Sequence, residues 1–114
     1  MEVYTTRTYH SLKLHSLDEL KGRTIYEVQK YYNTVKVTAL YVKNIIGGTV
    51  SGISSEGAQS FSKGFQIKNG ELFNSPDSVY YYNEQLAYTV AAELADCFIC
   101  NLKEVRDSYL RKLE

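Results

Sequence analysis

Two cysteines, Cys97 and Cys100, form a C-x-x-C pair, which is the motif in this chain most often associated with metal binding or redox chemistry. Together with the two histidines, His10 and His15, they would supply the four ligands that suit tetrahedral zinc. Redox C-x-x-C pairs lie at a helix N-terminus, where the helix dipole lowers the thiol pKa. This pair lies well inside a segment with helical periodicity, so we predict two inert, metal-free thiols and no cofactor.

A second set of residues has the chemistry to bind a small ligand such as a nucleotide. Tyrosine rings stack on bases, and guanidinium groups or a glycine-rich turn hold phosphate. The candidate ligand-binding residues are Tyr80, Tyr81, Tyr31, Arg7, Arg23, Gly47 and Gly48. The alternative interpretation is that the tyrosines fill the core or an interface and that the glycines form a simple hairpin turn, because the turn matches neither the P-loop nor the dinucleotide fingerprint.

Catalytic groups are the third kind of chemistry to consider. The chain has many serines but no nucleophile-elbow motif around any of them. No pair of carboxylates accompanies a histidine in the pattern of an acid–base site. We therefore predict no catalytic residues and a protein that is not an enzyme.

The C-terminal third of the chain is predicted to form one long helix that carries the surface for a partner. Ser75-Pro76-Asp77 is typical of a helix start, and no glycine or proline follows to residue 114. A helix over residues 76–113 would be about 57 Å long, which exceeds the span of a domain of this size. We also considered a strand over 79–82 with the helix starting at Asn83. We expect an oligomer interface at Ala91, Leu94, Phe98, Leu102, Val105 and Tyr109, with one wide core face as the alternative.

The first 75 residues predict mainly β-structure with a short helix. Strands are expected at 3–10, 34–42 and 49–53, with a hairpin over 61–73 that turns at Asn69-Gly70. A one-turn helix is expected at 17–20. Thr24 and Glu27 form a capping-box pattern that favours a short helix at 25–33, although a strand at 24–32 fits the residue types as well. The predicted fold is a single α+β domain over 1–114, with an antiparallel sheet of about four to five strands, a short helix and one long C-terminal helix.

Residues 24–43 have a further interpretation. The run of apolar positions from Thr24 to Lys43 resembles a helix-turn-helix of the bacterial regulator type. In that resemblance the recognition helix would coincide with the β-branched run at 34–38. It implies a DNA-binding regulator, which we keep as the second alternative function.

Composition excludes several classes of partner. Thirteen basic and thirteen acidic residues give a net charge of zero, so we expect no nucleic-acid partner. No apolar run approaches the length of a membrane span, and no signal peptide is visible, so we expect a cytoplasmic protein without a membrane partner. The expected function is an interaction or inhibitor module that binds a larger protein, as small inhibitors of host defence from phages and mobile elements do. The alternative is an oligomer that binds a small ligand.

Overall fold

The computed structural model describes residues 12–114 and has the α+β architecture that the sequence predicts. Arg7, His10 and the strand expected at 3–10 lie outside the described residues. The strands are β1 (Thr24–Tyr31), β2 (Thr34–Ile46), β3 (Thr49–Ser54), β4 (Ser60–Gly64), β5 (Gln66–Lys68), β6 (Glu71–Phe73) and β7 (Ser78–Tyr81). A 3₁₀ helix spans Leu17–Leu20, and the helix α1 spans Glu84–Lys112.

Five strands form one antiparallel sheet in the order β4-β3-β2-β1-β7, and β5 pairs with β6 in a separate hairpin. The inner strand β1, next to the edge strand β7, pairs with β2 on one side and with β7 on the other. In this register Val28 lies opposite Val37 and Val79, whereas Glu27 lies opposite Thr38 and Tyr80. Since opposite residues share a face and successive residues alternate, these two rows point to opposite faces of the sheet.

Both faces of the sheet are covered. Helix α1 packs on one face, where Val28, Tyr81, Ala87 and Leu94 are buried together. The 3₁₀ helix and the β5–β6 hairpin cover the other face. The buried residues there are Leu12, Leu14, Leu20, Ile25, Leu40, Val42, Val50, Phe65, Leu72 and Tyr80.

The turns follow the predicted turn chemistry. Asn69 and Gly70 have φ values of 53° and 79°, which confirms the two positive-φ positions of the β5–β6 turn. Gly47 and Gly48, with φ values of 56° and 86°, connect β2 to β3. The one-turn helix at 17–20 is confirmed, and Ser16 and Glu19 form its capping box.

The predicted helix at 25–33 is wrong, because these residues form β1 and the turn that follows it. As a strand inside the sheet, β1 buries Ile25 on one face of the sheet and Val28 on the other. A single helical face could not bury both residues in this way. The helix-turn-helix resemblance is wrong for the same reason. Residues 24–46 form the β1–β2 hairpin, so no recognition helix exists there.

Helix α1 begins at Glu84, eight residues after the start at residue 76 that the sequence predicted. Ser75 accepts a hydrogen bond from the Asp77 backbone N–H at 3.1 Å, but it caps a turn rather than a helix. The residues that follow form the edge strand β7, and Asn83 is the N-cap, accepting from the Leu86 N–H at 2.9 Å. The considered alternative of a strand followed by a helix from Asn83 is thus the observed one.

The 29 residues of α1 span about 43 Å. In the described part of the chain, no helix is both long and apolar enough to cross a membrane.

Candidate functional site

The apolar stripe of α1 has two parts. In the N-terminal part, Ala87, Leu94 and Cys97 are buried against the sheet, and Ala91 and Phe98 pack beside them. The packing on the sheet ends at Phe98. Ala91, Leu94 and Phe98, which the sequence placed in an oligomer interface, therefore contribute to the chain's own core.

Beyond Phe98 the helix continues for about four turns past the sheet. Leu102 remains 51% exposed, and its apolar neighbours on the helix are about half exposed or more. At about 100° per residue, these side chains fall within a sector of about 140°. We call this sector the distal helix surface; it comprises Ile99, Leu102, Val105, Tyr109, Leu110 and Leu113.

Polar groups border the distal helix surface without covering it. Arg106 binds Asp107 through an exposed ion pair at 2.9 Å, which contributes little in water. The Lys112 ammonium lies 5.3 Å from the centre of the Tyr109 ring. A shallow groove of about 510 Å³ runs along one border and includes Val105 and Tyr109. A face of large apolar side chains with a polar border is typical of a protein–protein contact surface.

The turn between β1 and β2 carries a second exposed aromatic feature, the hairpin tip, which consists of Tyr31 and Tyr32. Tyr32 is 90% exposed and has a φ of 57°, and its ring meets the Tyr31 ring edge-on with centroids 5.0 Å apart. Phe98 lines a groove of about 560 Å³ together with both tyrosines. The hairpin tip therefore lies beside the point at which α1 leaves the sheet.

A polar cleft on the opposite face of the sheet has a buried carboxylate, Glu27, among its lining residues. Glu27 is only 4% exposed, and its Oε2 accepts hydrogen bonds from Ser78 Oγ and Tyr80 Oη, both at 2.9 Å. Burial and the nearby Glu27 charge raise the pKa of Tyr80 far above its usual value, so this phenol stays a donor. The cleft has a volume of about 180 Å³. We call it the carboxylate cleft; it is lined by Glu27, Gln29, Lys36, Thr38, Leu40, Ser54, Glu56, Gln59, Ser60, Phe61 and Lys63.

At the rim of the carboxylate cleft, Lys36 Nζ binds Glu56 Oε2 at 2.6 Å. Their hydrogen bond raises the pKa of Lys36 and lowers that of Glu56. Both side chains are largely exposed, so the pair orients the Lys36 ammonium more than it stabilises the fold.

The proposed ligand-binding residues do not come together in one place. Tyr80 is fully buried and Tyr81 almost so, and neither ring can stack on a base while the core is intact. These two assignments are therefore corrected to core positions. Tyr31 lies at one end of β2 and the Gly47-Gly48 turn at the other, about 40 Å apart for a strand of 13 residues.

The remaining two candidates are arginines. The Arg23 guanidinium lies 3.8 Å from the centre of the Tyr82 ring, which is a cation–π contact within the protein. Arg7 lies outside the described residues. The arginine that can be placed is thus already engaged by an aromatic ring.

The C-x-x-C pair lies in the middle of α1, with Cys97 buried and Cys100 partly exposed. The four cysteine and histidine ligands considered from sequence include His10, which lies outside the described residues. Among residues 12–114, no cluster of three or more histidine, cysteine or acidic side chains is arranged to hold a metal. The prediction of inert thiols stays a prediction.

A comparison with protein-family models, with curated proteins and with solved structures finds no match.

The sequence prediction missed Glu27 as a site residue, because it assigned this carboxylate to a capping box. The available signal was the alternation of Ile25, Glu27 and Gln29 within a β-branched segment. As a strand, that alternation places an acidic side chain on the same face as a buried isoleucine.

Proposed function

We propose that the chain is a non-catalytic interaction module that pairs with a second copy of itself and binds a larger protein. The observation that carries this proposal is the distal helix surface, a set of six exposed large apolar side chains. Three of them, Leu102, Val105 and Tyr109, continue the core stripe of α1 past the end of the sheet. Free thiols at Cys97 and Cys100 support a reducing, cytoplasmic location.

The free energy available from burying the distal helix surface between two chains is consistent with a reversible dimer. Burying the exposed half of one leucine-sized side chain contributes about 1 kcal/mol. Two helices carry twelve such side chains, so a close pair gains on the order of 10 kcal/mol. Association costs about 4–15 kcal/mol in lost freedom of motion. Gain and cost are of the same order, so we expect a dimer that dissociates on dilution.

The hairpin tip is the surface that we propose for a larger protein partner. Tyrosine contributes a large contact area at a small entropic cost, since its side chain has only two rotatable angles, and it is enriched among residues that dominate binding energy. Tyr32 projects from the turn with 90% of its surface exposed. A small inhibitor that occupies a surface of a larger protein would use such an anchor.

Sedimentation equilibrium tests the self-association. We expect a mass that rises from 13.0 kDa toward twice that value as the protein concentration increases through the micromolar range. A constant 13.0 kDa at high micromolar concentration would rule out the dimer.

The hairpin tip is tested by affinity purification from the native host with quantitative mass spectrometry. Tyr32→Asn keeps a residue that tolerates positive φ, so the turn is retained while the ring is removed. Tyr88→Asn is the matched control, because Tyr88 is an exposed tyrosine on α1 away from the tip. A stoichiometric partner that is lost only with Tyr32→Asn supports the proposal. A partner retained equally by both variants refutes the assignment to the tip.

A further inference from the structure

Glu27 has one carboxylate oxygen without a hydrogen-bond donor. Both hydroxyl groups that reach this side chain bind Oε2, and no described residue donates to Oε1. The single side-chain atom found both fully enclosed and unpartnered in residues 12–114 is Tyr82 Oη. Glu27 Oε1 is therefore not fully enclosed, and Glu27 is one of the residues that line the carboxylate cleft.

Among the described residues, no cation contacts the Glu27 carboxylate directly. None of the ion pairs among the described residues includes this carboxylate. Lys36, on the same face two positions along β2 from the residue opposite Glu27, is bound to Glu56 and interacts with the Glu27 charge only at longer range. Lys63 also lines the cleft without forming an ion pair with Glu27. Buried charges in proteins are ordinarily paired, because an unpaired charge loses its hydration without compensation. A buried carboxylate that opens to a cleft and has no cation in direct contact is arranged to receive one.

We propose that the carboxylate cleft binds a primary ammonium group on a short unbranched alkyl chain, with Glu27 Oε1 as its acceptor. The geometry selects ammonium over guanidinium. A guanidinium binds carboxylates through two parallel hydrogen bonds, but Oε2 already accepts two and leaves only Oε1. Thr38 and Gln29 also line the cleft. A hydroxyl and an amide oxygen can each accept one of the remaining ammonium hydrogens.

The volume of the cleft limits the size of the ligand. At about 180 Å³ it is smaller than the roughly 300–1,000 Å³ of sites for drug-sized ligands and cofactors. It suits one alkylammonium arm. That arm belongs either to a free amine or to a lysine side chain of a bound protein, and the latter source would extend the proposed interaction function.

The test is a titration of the ¹⁵N-labelled chain at neutral pH, followed by amide shifts around Glu27, Thr38 and Ser54. n-Butylammonium is the probe for a free amine, and Nα-acetyl-lysine amide is the probe for a lysine side chain. n-Butanol lacks the charge, and tetramethylammonium lacks the N–H groups. We expect n-butylammonium to bind with a dissociation constant of about 1–10 mM and both controls to be without effect.

Glu27→Gln keeps an acceptor for Ser78 and Tyr80 but removes the charge, and should weaken binding about tenfold or more. Glu104→Gln, which removes an exposed carboxylate on α1, should leave binding unchanged. Binding of both amines supports a lysine source, and binding of n-butylammonium alone supports a free amine. Absence of binding by either amine, equal shifts with n-butanol or tetramethylammonium, or unchanged affinity in folded Glu27→Gln would each overturn the proposal.

Should Glu27→Gln fail to fold, the comparison of the amines with n-butanol and tetramethylammonium on the unmodified chain still decides the matter. The titration does not depend on dimer formation, so its failure leaves the proposed function standing. A monomeric chain that binds the amine would instead remove the proposed dimer and retain the cleft.

Discussion

Replacing Leu102 with aspartate should separate the proposed dimer while leaving the protomer folded. Leu102 lies at the centre of the distal helix surface and is 51% exposed in the single chain. It lies one turn beyond Phe98, the last residue of α1 that packs on the sheet core. The substitution should therefore cost the isolated protomer only the difference in helix propensity, about 0.5 kcal/mol.

The expected effect on the dimer is much larger. Each Leu102→Asp chain loses about 1 kcal/mol of apolar burial and places a carboxylate in a desolvated contact, which costs at least another 1 kcal/mol. Two chains contribute, so the dimer is weakened by about 4 kcal/mol or more. Since 1.4 kcal/mol corresponds to tenfold, the dissociation constant should rise about a thousandfold.

Thr89→Asp is the matched control, because it introduces the same charge at an exposed position on the half of α1 that covers the sheet. Sedimentation equilibrium at matched concentrations measures the three dissociation constants, and thermal unfolding checks the fold. The unmodified chain and Thr89→Asp should dimerise alike, whereas Leu102→Asp should remain a monomer of about 13 kDa. A Leu102→Asp chain that dimerises as well as the control would show that the distal helix surface is not the interface.

Three further predictions concern stability. Gly52→Ala should destabilise the fold by about 3 kcal/mol or more in urea unfolding, because the added Cβ would overlap the Tyr41 carbonyl oxygen beside the β2 bulge. The control Gly64→Ala adds a Cβ that meets open space, so its free energy of unfolding should change little. Equal stability of the two variants would contradict this prediction. Asn83→Ala should cost about 1 kcal/mol by removing the N-cap of α1, and an unchanged urea midpoint would show that the cap contributes nothing. Burial and the Glu71 charge raise the pKa of Tyr81 from 10.0 to about 12. The stability that the protonated Tyr81 phenol contributes is therefore complete below pH 10 and is lost as the pH rises to about 12. Urea midpoints that stay constant over that range would refute a raised Tyr81 pKa.

The local turn chemistry was predictable because it depends on residues that are adjacent in sequence. Asn69 and Gly70 both adopt positive φ, as the Asn-Gly preference for this turn predicts, and the Lys68–Glu71 pairing follows from the turn. The Glu71 carboxylate nevertheless binds Lys13 at 3.1 Å, while Lys68 Nζ lies over the Phe73 ring. The register could be read from the sequence, but the side-chain partners could not.

The start of α1 was misplaced because the same residues serve two structures. Ser75-Pro76-Asp77 suits both a helix N-terminus and a tight turn, since in each case the serine oxygen accepts a backbone N–H and proline presets φ. What decides is the segment that follows. Val79 and Tyr81 gain more by pairing with the inner strand β1 than by extending a helix into solvent.

The short helix at 25–33 failed for a similar reason. A capping box between Thr24 and Glu27 is a local signal, whereas β1 is defined by partners at 34–41 and 78–81. Glu27 became a site residue only through Ser78 and Tyr80, which are more than fifty positions away in the sequence. Its burial depends on strand register, and register between distant strands is not encoded in any short pattern.

The same reasoning explains why the two halves of one apolar stripe have different roles. A stripe in the sequence states only that a helix face avoids water, and it does not state what covers that face. The sheet is wide enough to cover α1 as far as Phe98, and the remaining four turns carry equally apolar residues with nothing from the described chain against them. Leu94 and Leu102 are thus indistinguishable by pattern, yet one is a core residue and the other is available to a partner. The boundary between them is set by where the sheet ends, so substitutions on either side of Phe98 should separate folding from association.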